Sequence, residues 1–344
     1  MNEEWRYKVT HFESLNGVRP TLPEYAKRVA HVKAIVVKHP NFNEVFSELE
    51  EIHALSKESV ITDQLCILGP TGAGKTTLVD EYVANFPRQV QKERTVIPVL
   101  NVKVPPRARS PKVLASKILR TMGDPLFDSG TEENMTHRIQ NFVKACGIEI
   151  IILDEFQHLI DRDTDHVLAT ASDWLKTFIE EINIPVVLCG LPESERIFKH
   201  NEQLDGRYPN RAFLHPFSFS TTEEKLAFRK FLKAIDHELP FSKLSNLADP
   251  DVAGKLYYFS FGVPRYVMDL LKQATKFALK KGQDHVCEVD LGDAFQKITR
   301  SIRPFAINPF ANKNFNLDEE IEKERLQQES LFKQNHDRRR KQKK

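Results

Sequence analysis

Residues 65–77, LCILGPTGAGKTT, constrain the chain more than any other stretch. An apolar run, Leu65–Leu68, stops at Gly69, and Gly69-Pro70-Thr71-Gly72-Ala73-Gly74-Lys75-Thr76 satisfies G-x-x-x-x-G-K-[ST] at every fixed position. Glycines at those places let successive backbone N–H groups turn inward around a phosphate. A helix starting near Lys75 aims its positive end at the same anion. Lys75 supplies a mobile cation for β- and γ-phosphates, the Thr76 hydroxyl is a ligand for Mg²⁺, and Thr77 completes the segment. Leu78, Tyr82, Val83 and Phe86 then recur at helical spacing, so the glycine loop lies between a strand and a helix.

The chain around this loop alternates. Strands are expected at residues 65–68, 95–104, 149–153, 184–189 and 213–219, and helices at 75–86, 111–122, 132–146 and 166–182. Such alternation predicts an α/β domain over 61–220: a five-strand parallel sheet with helices on both faces and ligands at the strand C-termini. Residues 1–60 read as a helical extension, broken at His39-Pro40-Asn41, with residues 5–19 as an arm that could meet a partner. Thr221-Thr222-Glu223-Glu224 is a capping-box pattern, and from 221 to 302 only helices are expected, giving a small all-helical lid domain. Residues 303–344 read as a charged, partly disordered tail.

Three further elements carry chemistry. Residues 149–155, EIIILDE, form a buried strand ending in two acids; Asp154 there is placed to hold Mg²⁺ and Glu155 to polarise an attacking water. Gly262-Val263-Pro264-Arg265 ends one helix and starts another, pointing Arg265 from a fixed N-terminus towards a γ-phosphate. Residues 203–211, QLDGRYPNR, offer Arg207 or Arg211 to a neighbouring subunit's nucleotide, where a cation stabilises transition-state charge.

In this order and spacing the four elements resemble an AAA+ ATPase over residues 61–300. Within that superfamily the chain resembles the TnsC/TniB-type regulators of Tn-family DNA transposition. Softer cues carry that closer likeness: His39-Pro40-Asn41-Phe42, residues 102–111, Asp154-Glu155-Phe156-Gln157-His158-Leu159, residues 186–192 and Asn308-Pro309-Phe310. The resemblance implies that 69–77 is Walker A, Asp154 and Glu155 are Walker B, Arg207 is the trans finger and Arg265 the second sensor. ATP and Mg²⁺ are the implied cofactors. Such proteins assemble as ATP-dependent rings or filaments on duplex DNA, link a target-selecting protein to transposase subunits, and leave DNA on hydrolysis. One departure stands out: where the first sensor is usually Asn or Thr, this chain reads Val187-Leu188-Cys189-Gly190-Leu191, which implies a slow timer rather than a motor.

Charge sets the expected DNA contacts. The net charge is only +2, but residues 101–120 hold Lys103, Arg107, Arg109, Lys112, Lys117 and Arg120 with no acid. Several cations on a loop kept irregular by Pro105-Pro106 can follow a phosphate backbone without reading bases; Lys103 and Arg107 are the first choices, with Arg109 and Lys112 beside them. The terminal run Arg338-Arg339-Arg340-Lys341-Gln342-Lys343-Lys344 offers a second anionic contact. The four cysteines and twelve histidines show no metal spacing, no apolar run reaches membrane length, and a cytoplasmic protein without a membrane partner is expected. Rival readings are an AAA+ loader or switch in replication or secretion, a P-loop kinase, and a non-enzymatic DNA coat.

Overall fold

The computed structural model describes residues 12–59, 62–106, 110–160, 165–298, 303, 305–312 and 315–327. In chain order the elements are α1 (Leu22–Ala34), α2 (Pro40–Leu55), β1 (Leu65–Leu68), α3 (Lys75–Ala84), β2 (Gln89–Val90), β3 (Thr95–Val96), β4 (Val99–Lys103), α4 (Pro111–Met122) and α5 (Glu132–Cys146). There follow β5 (Ile150–Asp154), α6 (Gln157–Ile160), α7 (Asp165–Ile182), β6 (Val186–Gly190), a 3-10 turn (Pro192–Glu195), α8 (Arg196–Lys199), α9 (Glu202–Arg207) and β7 (Asn210–Phe213). The remaining helices are α10 (Thr222–Glu238), α11 (Pro250–Ser260), α12 (Pro264–Lys280) and α13 (Glu288–Lys297). They form two compact units, one of residues 40–215 and one of 1–39 with 216–344.

The first unit is a five-stranded sheet in the order β4-β5-β6-β1-β7, every pairing parallel. A strand's side chains alternate between faces, so each strand feeds two cores. Leu65, Ile67, Ile150, Ile152, Val187 and Cys189 pack with Phe42, Leu49, Leu78 and Tyr82 of α2 and α3. Cys66, Leu68, Ile151, Leu153, Val186 and Leu188 pack with Ile118, Ile139 and Phe178 of α4, α5 and α7. Helices on both faces leave only the strand ends open.

Two strand expectations are corrected. The span 95–104 is not one strand: Pro98 cannot donate to a ladder, and it separates the β2–β3 hairpin from β4. The last strand is not 213–219 but Asn210–Phe213, so Arg211 lies within a strand rather than in the loop before one. Pro216 removes a donor just beyond, and the apolar residues that suggested a longer strand serve the other unit. There Phe217 stacks on Phe231 and Phe219 on Tyr257, at 4.6 and 4.8 Å between centroids.

That second unit is helical around Phe228, Phe231, Leu256, Leu270 and Leu271. The capping box is present: Thr221 accepts from the Glu224 amide, and the Glu224 carboxylate accepts from the Thr221 amide. Residues 1–60, read from the sequence as one extension, fall in both units, since Val32 of α1 joins the helical core and Val45 of α2 the sheet core.

Part of the C-terminal segment is ordered into the helical unit. Arg303 donates to Glu324 through Nε at 2.8 Å and a terminal nitrogen at 2.5 Å, and to the carbonyls of Tyr258 and Phe259. Both partners are about 95% buried, and the guanidinium lies 4.2 Å from the Phe261 ring centroid. Removing one member of such a pair leaves a buried charge alone. Glu324→Ala is therefore expected to cost about 3 kcal/mol or more of stability, and to expose residues 305–327 to limited proteolysis, read by denaturant melts and mass mapping. Unchanged stability would mean that the pair is not buried in solution.

Candidate nucleotide site

β1 delivers its loop to the open edge of the sheet. Gly72 and Gly74 take φ of +88° and +111°, a region that favours glycine, and Gly74 leads directly into α3. Gly69 is held by proximity instead: a Cβ there would lie 2.6 Å from the Leu214 carbonyl oxygen. Pro70 and Ala73 close the loop through a hydrogen bond from the Ala73 amide to the Pro70 carbonyl, while Thr71 stays exposed at its crown. Thr77 is exposed one turn into the helix, away from this hydrogen-bonded ring.

Lys75 is buried and folds back over the loop, donating to the Gly69 carbonyl at 2.6 Å and the Pro70 carbonyl at 3.2 Å. An ammonium that donates to neutral carbonyls of the glycine loop is suited to exchange them for an anion. Thr76 Oγ1 donates to Asp154 Oδ2 at 3.0 Å, and the other Asp154 oxygen accepts from the Glu155 amide at 2.9 Å. Burial pushes the Asp154 carboxyl above its ordinary range. Those two hydrogen bonds oppose the shift, the Glu155 charge adds to it, and Lys103 opposes it. A buried carboxylate whose charge is costly, touching a threonine hydroxyl, is a fitting hard-cation site: Thr76 and Asp154 would hold Mg²⁺, which supplies charge neutralisation for phosphate oxygens.

Glu155 follows at the strand end with φ of +57°, outside the regular ladder, and accepts a hydrogen bond from Gln157 Nε2. β6 runs between β1 and β5, so its end, Gly190, lies between the loop and the two acids. Cys189 is fully buried, and burial drives its thiol pKa well up, so it is an inert packing group. The strand itself supplies no polar side chain there, in line with its apolar sequence. Two polar side chains approach from elsewhere, Gln157 of α6 and Ser194 of the 3-10 turn. Neither is marked by the sequence alone, because no spacing rule ties a residue after β5 to one after β6.

The remaining candidates separate. Arg207, in the last turn of α9, donates to Glu180 Oε1 at 2.5 Å and is about 39% exposed. Arg211 is engaged on three sides, by Asp205, by Glu195 at 3.5 Å and by the Phe198 ring at 4.6 Å, which fits an anchor for the α8–α9 segment. Arg265 is exposed in the first turn of α12. Lys103 is exposed, pairs in register with Asp154 and acts on its charge. Lys112 and Arg120 are exposed on α4, Arg120 over the Phe127 ring, whereas Arg107, Arg109 and the run 338–344 lie outside the described residues. Among the described residues no group of three His, Cys, Asp or Glu could hold a metal ion, and no helix is long and apolar enough to cross a membrane.

The parallel order, the loop after β1 and the acids after β5, with a following helical unit, define a P-loop AAA+ fold. Solved structures of similar fold include the Aeropyrum pernix ORC2 protein in ADPNP–ADP complexes (TM-score 0.53, 17% identity, 76% of this chain and 70% of that one). Cdc6p from Pyrobaculum aerophilum aligns with TM-score 0.55, 13% identity and coverage of 77% and 68%. The Aeropyrum pernix ORC1 protein in complex with DNA aligns at 0.52, 17%, 73% and 64%, so the match spans under two thirds of its length. No curated protein matches the sequence. Residues 28–217, more than half of the chain, match the family described as bacterial TniB protein, and the chain belongs to that family.

A carboxyl whose pKa rises on folding weakens the fold as pH climbs from the ordinary carboxyl value to the raised one, and the loss is complete above the raised value. Asp154→Asn removes the charge while keeping an acceptor. It is expected to raise the melting temperature of the nucleotide-free protein at neutral pH, with the gain shrinking as the pH falls below the raised value and vanishing only where the unfolded chain's aspartate is protonated as well. Magnesium-dependent nucleotide binding should fall at the same time. A lowered melting temperature at neutral pH would contradict the electrostatic reading of this carboxyl.

Proposed function

We propose that the chain is an ATP-hydrolysing AAA+ protein that assembles on double-stranded DNA when loaded with ATP and Mg²⁺ and couples target-site choice to transposase recruitment in a Tn-like transposon. The observation that carries the nucleotide half is the Thr76–Asp154 hydrogen bond at 3.0 Å beside a lysine held by loop carbonyls. Residues 69–77 bind the phosphates, with Lys75 as the mobile cation; Thr76 and Asp154 hold the magnesium ion. Glu155 polarises the attacking water. Arg207 serves a neighbouring copy as the finger, since among the described residues one carboxylate holds it, an easier set to exchange than the two carboxylates and ring that hold Arg211. Arg265 keeps the second-sensor role that the family resemblance implies.

Support for DNA binding comes from the acid-free run of cations at 101–120, from which Lys103 and Lys112 are exposed, with Arg107 and Arg109 between them in sequence. The similar Aeropyrum pernix ORC1 structure is a complex with DNA, and the ORC2 structure is of ADPNP–ADP complexes. Membership of the TniB family, together with the resemblance to transposition regulators, supports transposase subunits and a target selector as partners, and a homo-oligomeric ring or filament as the working form. The cytoplasm is the compartment that fits such partners.

Electron microscopy of the full chain with long duplex DNA and either ATP or a non-hydrolysable analogue tests this reading. Regular assemblies are expected with both, longer-lived with the analogue; discrete particles in both conditions would overturn it. Lys75→Ala should abolish nucleotide-dependent DNA binding. Lys103→Ala should weaken binding to all sequences alike, lowering the salt dependence by about one phosphate contact. An effect confined to one sequence would contradict backbone tracking.

A further inference from the structure

Gln157 lies in a setting that the nucleotide chemistry so far leaves unused. It is 7% exposed, yet its Oε1 accepts no hydrogen bond among the described residues, and Ser194, 1% exposed, has an equally unpartnered Oγ. Both atoms gather over Gly190: a Cβ built there would lie 2.8 Å from Ser194 Oγ and 3.3 Å from Gln157 Oε1. Buried polar atoms without partners are costly, and they call for an explanation where a hydrophobic residue would pack without that penalty. The other end of the same amide, Nε2, donates to the Glu155 carboxylate.

Orientation of the amide follows from charge. Turned over, Gln157 would set an oxygen against the Glu155 carboxylate, two acceptors facing each other, so the N–H₂ end belongs on the glutamate. That leaves Oε1 beside Ser194 and the end of β6, the strand that separates the phosphate loop from the acids. Glu155 stands outside the ladder at positive φ, with no strand neighbour to fix its side chain. A carboxylate with one oxygen tied to an amide keeps the other for water.

We propose that Gln157 is a positioning residue for hydrolysis: it fixes the Glu155 carboxylate from the side, and the bare backbone of Gly190 leaves the space in which its Oε1 end packs beside Ser194. The polar group that β6 lacks is thereby brought in from the turn after β5. This rests on the reading of the chain as a hydrolase with Glu155 as its base. A group that must be held within a fraction of an ångström loses rate rather than affinity when its support goes.

Steady-state ATP hydrolysis and binding of a fluorescent ATP analogue, measured on the full chain with DNA and magnesium, test it. Gln157→Leu should lower kcat about 10-fold while KM and nucleotide affinity stay within about twofold. Gly190→Ala, whose Cβ intrudes on both side chains without touching Glu155's own chemistry, should reproduce the kcat loss, and melting curves check that both variants fold. Wild-type kcat in Gln157→Leu, or a rise, overturns the proposal; so does a loss of affinity as large as the loss of rate. Glu155→Gln belongs in the same series. If it hydrolyses as fast as wild type, the hydrolase reading fails; if it is slow while Gln157→Leu is not, only the positioning role fails.

Discussion

The fold depends on one constraint: parallel strands of matched length must end together. Leu68 pairs with Gly190, Leu153 with Leu188, and Asp154 with Lys103, so four loops leave the sheet on one edge. Because helices cover both faces, that edge is where backbone amides and carbonyls are free of sheet partners. The Thr76–Asp154 hydrogen bond spans the edge across the width of β6 and ties a residue of α3 to the end of β5. Any slip of β5 by one residue would turn Asp154 to the other face and lose the bond.

Burial then gives those residues their chemistry. Asp154 is 2% exposed, so its charge is costly until a cation arrives, and Lys75 at 8% is held by carbonyls that compete poorly with phosphate. Arginines divide by the same logic. Two carboxylates and a ring fix Arg211, and a buried carboxylate fixes Arg303, whereas Arg207 has one partly exposed carboxylate partner among the described residues. Mobility of a cation at this surface is set by its partners, not by its place in the sequence.

Much of this was legible in the residues. The glycine loop and the run 149–155 carry local signals strong enough to fix their strands and the helix after the loop, and β1, α4 and α5 fall where the periodicity puts them. Apolar runs were legible as buried but not as belonging to one core or another. Phe217 and Phe219 therefore lengthened a strand they do not join, and α1 and α2 looked like one extension although they pack into different units. Gln157, Ser194 and the Arg303–Glu324 pair depend on residues 21 to 37 apart meeting in space, which spacing alone does not reveal. Residues 187–191 carry no polar side chain, and spacing does not reveal that Gln157 and Ser194 approach the end of that strand.

Hydrogen exchange of backbone amides across the whole chain, with and without ATP and magnesium, tests the centre of this picture most directly. Slowed exchange at residues 69–77 together with 154–157, dependent on magnesium, is expected if the loop and the acids enclose one nucleotide. Slowing at neither segment, or at 69–77 alone whether or not magnesium is present, would show that the two halves of the edge do not act as a single site.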